Sequence, residues 1–153
     1  MIAKQIPTIS SGVAGPLGVL HLPRLWQKAS LGAVGKLHDA YTSAGGGFDQ
    51  MVLDALGIKR TDFLAYIASH KPTYPQVERW IVEKCGGAID PGAVAAFNTA
   101  VECYAHDGDT RSEILEDCGI DCGEDSLQDA VSLNNLDDWT VFYRQVIASG
   151  NTD

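Results

Sequence analysis

The chain is short of the features that most often announce a function. Four cysteines stand at positions 85, 103, 118 and 122 of 153 residues, too few for a disulfide scaffold of this size. They form no C-x-x-C pair, Cys118 and Cys122 being the closest. No histidines pair at ligand spacing either, so no metal and no other cofactor is expected. Basic residues are scarce, with 11 Lys and Arg against 20 Asp and Glu and a net charge of −9. Such a chain repels nucleic acid and anionic lipid, which disfavours both as partners. No apolar run reaches the roughly 18 residues that cross a bilayer. The first twenty residues hold one lysine and no apolar core leading to a small-residue cleavage site; no signal peptide is expected, and a cytoplasmic location follows by default. A Gly-rich phosphate loop, a G-x-S-x-G elbow and an H-E-x-x-H zinc pair are all missing. In DGDTRSEILE, Asp107 and Asp109 are spaced as in a calcium loop. Arg111 then takes the third ligand position and no glycine follows it, which excludes that reading.

What is present reads as helix. A chain of this length buries roughly 68–70% of its unfolded surface and needs no covalent staple. We expect an all-α single domain of about seven short helices, with an extended Gly-, Ser- and Pro-rich arm over residues 1–20 and a helical domain over 21–150. Pro23 suits the first turn of a helix, where its missing N–H costs nothing. From there Leu25, Ala29, Gly32 and Ala33 form one stripe, and Trp26, Val34, Leu37 and Tyr41 extend it, up to the triple glycine 45–47. Gly32 and Gly35 weaken a helix, which implies close approach of another element. Gly57 stops a second helix, and Thr61 or Asp62 starts a third. Thr73 caps a fourth that carries Trp80 inward and ends at Gly86-Gly87. Asp90-Pro91 opens a fifth, Asp109 caps a sixth ending at Gly119, and Asn135 caps the last. There Asp137 and Asp138 are expected at the positive end of the helix dipole, with Trp139 as a core aromatic.

Charge is unevenly spread. Residues 1–40 hold Lys4, Arg24, Lys28 and Lys36 against Asp39 alone, whereas residues 101–153 hold two basic and thirteen acidic side chains. Arg24 and Lys28, four apart, share a helix face, and His21 leans over its first turn. Together with the unpaired N–H groups of that turn they form a candidate pocket for a carboxylate or phosphate. The plainer alternative pairs Arg24 with an acid from the C-terminal half and His21 with a backbone carbonyl. Tyr41 and Asp49 flank the glycine run, which permits close backbone approach at a ligand or simply makes a turn. Tyr74 and Glu78 share a helix face; with Arg79 beside Glu78, a solvated face is the commoner explanation and a site the alternative.

The combination H-L-P-R-L-W-x-K-A (His21 to Ala29), Tyr41, Phe48-Asp49, Leu56-Gly57-Ile58 and Trp80 resembles a bacterial family catalogued as domain of unknown function 5069. The resemblance is best over residues 13–85 and loosest over 117–129. It implies a small helical soluble protein with Arg24, Lys28, Tyr41 and Asp49 among its recurring polar positions, and it brings no reaction with it.

Two functions compete at this stage. The first is a cofactor-independent enzyme working by proton transfer on a small polar or anionic molecule, of lyase, isomerase or hydrolase type. His21 or Asp49 would be the acid or base and Tyr41 would donate to oxyanion charge, while Arg24, Lys28, Tyr74 and Trp80 hold the substrate. The absence of an evident activated nucleophile favours proton transfer over covalent catalysis. The second is a non-catalytic module that binds a small molecule or a protein, its acidic C-terminal face meeting a basic partner. Assembly into a homo-oligomer stays open.

Overall fold

Helix punctuation is where the sequence speaks most directly. The computed structural model describes residues 3–121, 123 and 127–151; Cys122 and most of the acidic loop after it lie outside that set. Seven α-helices occur among the described residues: α1 (Leu22–Ala33), α2 (Phe48–Leu56), α3 (Arg60–His70), α4 (Tyr74–Lys84), α5 (Pro91–Cys103), α6 (Gly108–Asp117) and α7 (Ala130–Phe142). A π-helical turn, Tyr143–Ile147, and a 3-10 turn, Ala148–Asn151, continue α7. No strand is present among these residues, only isolated bridges such as Gln5 with Leu37. None of the described helices is long and apolar enough to cross a membrane. The fold is all-α, as the periodicity predicts.

Glycine ends four of the helices by the same device. Gly35, Gly57, Gly86 and Gly119 all take positive φ, between 66° and 77°, a conformation that carries no Cβ penalty for glycine. In α1 the Gly35 N–H donates to the Gly32 carbonyl and the Lys36 N–H to the Leu31 carbonyl, closing a Schellman motif. The first helix therefore stops at Ala33, well before the triple glycine, and Gly35 is its stop rather than a packing notch. Gly32 is the true notch. A Cβ there would lie 1.9 Å from the Ser43 hydroxyl oxygen, so the chain after α1 folds back against that point.

Four of the seven helices are capped by short polar residues, with corrections of register, whereas α3 is entered at Lys59 without a side-chain cap, before the expected Thr61 or Asp62. Asp90 accepts from Gly92 and Ala93, and the Gln76 side chain accepts from the Thr73 N–H at 2.9 Å. α6 is capped by Asp107 rather than Asp109, its carboxylate accepting from the Thr110 N–H at 2.8 Å. α7 begins six residues earlier than expected, capped by Asp129 accepting from the Ser132 N–H. Asp138 is consequently mid-helix and buried, and Trp139 is 64% exposed instead of a core aromatic. Either Asx residue could serve as the cap, and the chain turns helical at Asp129, before Asn135 is reached.

The chain forms two units, Met1–Val101 and Glu102–Asp153. In the first, Leu22, Leu25 and Ala29 of α1, Val52, Leu53 and Leu56 of α2, Phe63 and Ile67 of α3, Val77 and Ile81 of α4, and Val94 and Phe97 of α5 build the core. Among the described residues of the second unit, Leu115, Ala130 and Leu133 are the buried apolar ones. The N-terminal arm is fastened over the first unit by side chains that satisfy its backbone, as buried polar groups require. Gln27 accepts from Thr8 N–H (2.8 Å) and Ile9 N–H (3.2 Å); Glu78 accepts from Leu17 N–H (3.2 Å); Asn98 accepts from Leu20 N–H (3.0 Å) and donates to the Gly18 carbonyl (2.7 Å).

Candidate functional site

The arm delivers its end onto the start of α1 at His21, which takes a left-handed backbone, φ 65° and ψ −22°, at the N-cap position. A non-glycine residue there costs on the order of 1 kcal/mol and persists only where its surroundings over-determine it. Its N–H donates to the Val13 carbonyl (3.1 Å), and its carbonyl accepts from Leu25 (2.9 Å), the first bond of the helix. The ring is 3% exposed and meets the Phe48 ring edge-on at 5.5 Å.

Asp49 reaches the same point from the first turn of α2, where the helix dipole favours a carboxylate. Its Oδ1 lies 2.7 Å from His21 Nε2. Its Oδ2 accepts from Lys28 Nζ at 2.5 Å and from the Gly45 N–H at 2.8 Å. The glycine run thus serves Asp49 itself: Gly45 brings an N–H to the carboxylate, and Gly47, at φ 56° and ψ −134°, caps α2 in a conformation open to glycine. Lys28 stands one turn beyond Arg24 on the same face of α1, as the spacing predicts, and both are buried.

The residue that sequence reasoning missed is Ser11. It is 1% exposed, and its Oγ lies 2.9 Å from His21 Nδ1. Nothing local distinguishes it from Ser10; only the path of the arm carries it to the imidazole.

Burial would raise the pKa of Asp49, but the hydrogen bond from His21 and the charge and hydrogen bond of Lys28 together outweigh it and hold the carboxyl at about 2. His21 is pushed below its usual 6.5, mainly by burial, with Lys28 and Arg24 adding to the effect and Asp49 opposing it. At neutral pH the ring is therefore neutral. Because Asp49 is ionised, Nε2 carries the hydrogen directed at it, and the bare Nδ1 accepts from the Ser11 hydroxyl. A carboxylate fixing an imidazole tautomer, with the basic nitrogen turned to a hydroxyl, is the arrangement that proton-transfer catalysis uses.

Acid sensitivity follows from these values. Asp49 titrates lower in the folded protein than the 3.8 of a free carboxyl. Its contribution, about 2 kcal/mol, is present above pH 3.8 and lost as pH falls toward 2. His21 adds a loss that begins below 6.5, where the unfolded chain takes up the proton first. Urea unfolding at pH 7, 5 and 3 should show stability falling across both steps; a flat profile would refute the arrangement.

The other candidates divide. The Arg24 guanidinium carbon lies 5.9 Å from the centre of the Tyr41 ring, and its Nη1 donates to the Ile9 carbonyl at 2.9 Å. Tyr74 meets Trp26 edge-on at 5.7 Å and packs against Gly15, where a Cβ would lie 2.3 Å from its ring. Burial and the neighbouring Glu78 carboxylate push the Tyr74 hydroxyl far up. With Glu78 only 6% exposed, the solvated-face reading of that pair is overturned: they clamp the arm. Trp80 is not inward but half-buried, stacked on Tyr66 at 4.5 Å with the Lys84 ammonium 5.7 Å from its ring. Neither contacts the histidine cluster through any of these bonds.

An all-helical protein with a buried serine–histidine–aspartate–lysine cluster closed in by its own N-terminal arm is the class these features define. The chain belongs to the family described as domain of unknown function 5069 (DUF5069), whose model matches residues 9–140. No curated protein matches it.

Proposed function

We propose that the protein is a cofactor-independent enzyme that works by acid–base chemistry on a small polar or anionic organic molecule, of lyase, isomerase or hydrolase type. The observation that carries this reading is the neutral, strained His21 held between the Asp49 carboxylate and the Ser11 hydroxyl. His21 is the base, Asp49 orients it and stabilises the imidazolium that forms, and Ser11 passes the proton between the ring and the substrate. Lys28 keeps Asp49 ionised. Arg24 on α1 and Tyr41 in the loop that follows it, brought beside each other at 5.9 Å, are the groups that position a polar substrate. Cytoplasmic residence belongs to the same proposal.

The alternative is a ligand-binding module without chemistry. It draws support from the tight pairing of the cluster: Asp49 is fully used by three donors, and Ser11 and His21 satisfy each other.

A thermal-shift screen against a panel of small carboxylates, phosphates and polar metabolites separates the two. The parent protein should be stabilised by at least one compound, and Arg24→Lys, which keeps the charge but loses the planar fork, should respond to it less. Incubation of that compound with the parent should convert it to product. Binding with quantitative recovery of the unchanged compound would replace the enzyme by the module.

A further inference from the structure

The histidine cluster is closed to water. Ser11 is 1% exposed, and His21 and Asp49 are each 3% exposed, so a substrate reaches the imidazole only after something moves. Two irregular stretches adjoin the cluster: the end of the arm and the glycine run before α2. The arm is buried at Pro7 and again at Val19, and between them Ser11 alone is buried. Residues 8–18 therefore lie across the surface and send one side chain down onto the ring.

Fastenings stand at the two ends of this stretch. Gln27 holds the Thr8 and Ile9 N–H groups through its oxygen and donates its amide to the Thr8 hydroxyl at 2.8 Å, while Arg24 donates to the Ile9 carbonyl. At the other end the Glu78 carboxylate accepts from the Leu17 N–H, and Asn98 donates to the Gly18 carbonyl. Between them the stretch meets the body at His21, through the Ser11 hydroxyl and the Val13 carbonyl, and at Tyr74, which packs against Gly15. Side-chain bonds to irregular backbone near solvent open at lower cost than a packed core. Gly18 supplies a pivot: its φ is 73°, and a Cβ there would meet nothing within 4 Å. The glycine run is the poorer gate. Ser43 is wedged against Gly32, and the Gly45 N–H holds Asp49 at 2.8 Å. Lifting that run would strip the carboxylate of a donor while Ser11 still covered the base.

We infer that residues 8–18 are a lid over the histidine cluster, latched by Gln27 and Glu78 and pivoting at Gly18. Lifting it withdraws the Ser11 hydroxyl from His21 Nδ1 and opens that nitrogen to a substrate. Closing it returns Ser11 above the bound molecule and excludes water. Gln27 and Glu78 act through the lid and are positioning residues. The purpose of the lid rests on the acid–base reading of the site, but its motion is measured without turnover.

Two probes of the full chain report that motion. One is hydrogen exchange of the Leu17 amide, followed by NMR. The other is labelling of His21 by diethyl pyrocarbonate, followed by peptide mass spectrometry with the exposed His70 as the unprotected reference. In the parent, both opening constants should exceed that of the Leu53 amide, buried in α2, and should hardly change in low urea, because a local opening exposes little surface. Gln27→Ala lies at the far end of the stretch from Leu17 and suits a helix. It should raise both constants by the same factor, roughly tenfold or more, since two or more net hydrogen bonds are lost. The lid is overturned by any of three results: His21 labelled no faster than Leu53 exchanges, labelling that follows the Gly45 amide instead of Leu17, or a substitution that leaves Leu17 and His21 at their parent values. A protein that turns nothing over leaves these measurements intact and sinks the enzyme proposal alone.

Discussion

Asp49→Ala is expected to destabilise the first unit by about 3–5 kcal/mol, the range for removing one partner of a buried ion pair. The loss has three parts. Lys28, 8% exposed, is left as a buried ammonium without the carboxylate 2.5 Å away. His21 loses the acceptor of its Nε2–H, and the Gly45 N–H loses the oxygen that anchors the glycine turn. For a chain of this size the shift corresponds to a melting temperature lower by roughly 10–15 °C. Most of the penalty is the stranded charge, not the lost attraction. Adding Lys28→Met to Asp49→Ala should therefore recover a large part of it, because an apolar side chain of similar length removes the buried cation. Thermal and urea unfolding of the two single variants and the double variant measure this directly. A loss under 1 kcal/mol for Asp49→Ala would show that Lys28 reaches solvent or another acid once released.

His21→Gln is expected to lower kcat by 10²- to 10⁴-fold against whichever compound the parent converts, with KM little changed. Glutamine can donate to Asp49 and accept from Ser11, so it keeps the connections that fasten the arm to α1 and α2. It cannot take up a proton. In the parent, burial keeps His21 neutral below its usual 6.5, so the acidic limb of the pH–rate profile should lie below that value. The base must be unprotonated to act, and activity falls as pH drops through its folded-state pKa. Steady-state kinetics between pH 4.5 and 8 provide the test; turnover of His21→Gln within threefold of the parent would remove His21 from the mechanism.

The site was half legible. His21, Arg24, Lys28 and Asp49 stand out because they are polar residues in a segment whose remaining features, Pro23 and the glycines, are explained as helix entry and exit. A spacing of four places Arg24 and Lys28 on one face whatever the tertiary fold. Ser11 could not be found this way. It lies ten residues from His21, in an arm without periodicity, and its distance from the ring depends on where Gln27, Glu78 and Asn98 fasten that arm. Trp80 and Trp139 fail for a related reason. Large aromatics are assigned to the core by default, yet Trp80 finds its partner in Tyr66 at the rim, and Trp139 sits on a face that a helix-by-helix reading assumes to be turned inward.

By itself the sequence determined the class of fold, the stops at glycines 57, 86 and 119, and the local clustering of base and imidazole at the start of α1. These depend on φ preferences, caps and residue spacing, which act within a few residues. Tertiary structure alone decided three things: that a serine from the arm completes the histidine's hydrogen bonds, that Asp49 is paired with Lys28 and so ionised down to about pH 2, and that α7 buries Asp138 while exposing Trp139. Each depends on which surfaces meet across tens of residues, and burial, the quantity that sets both the pKa values and these exposures, exists only once they have met.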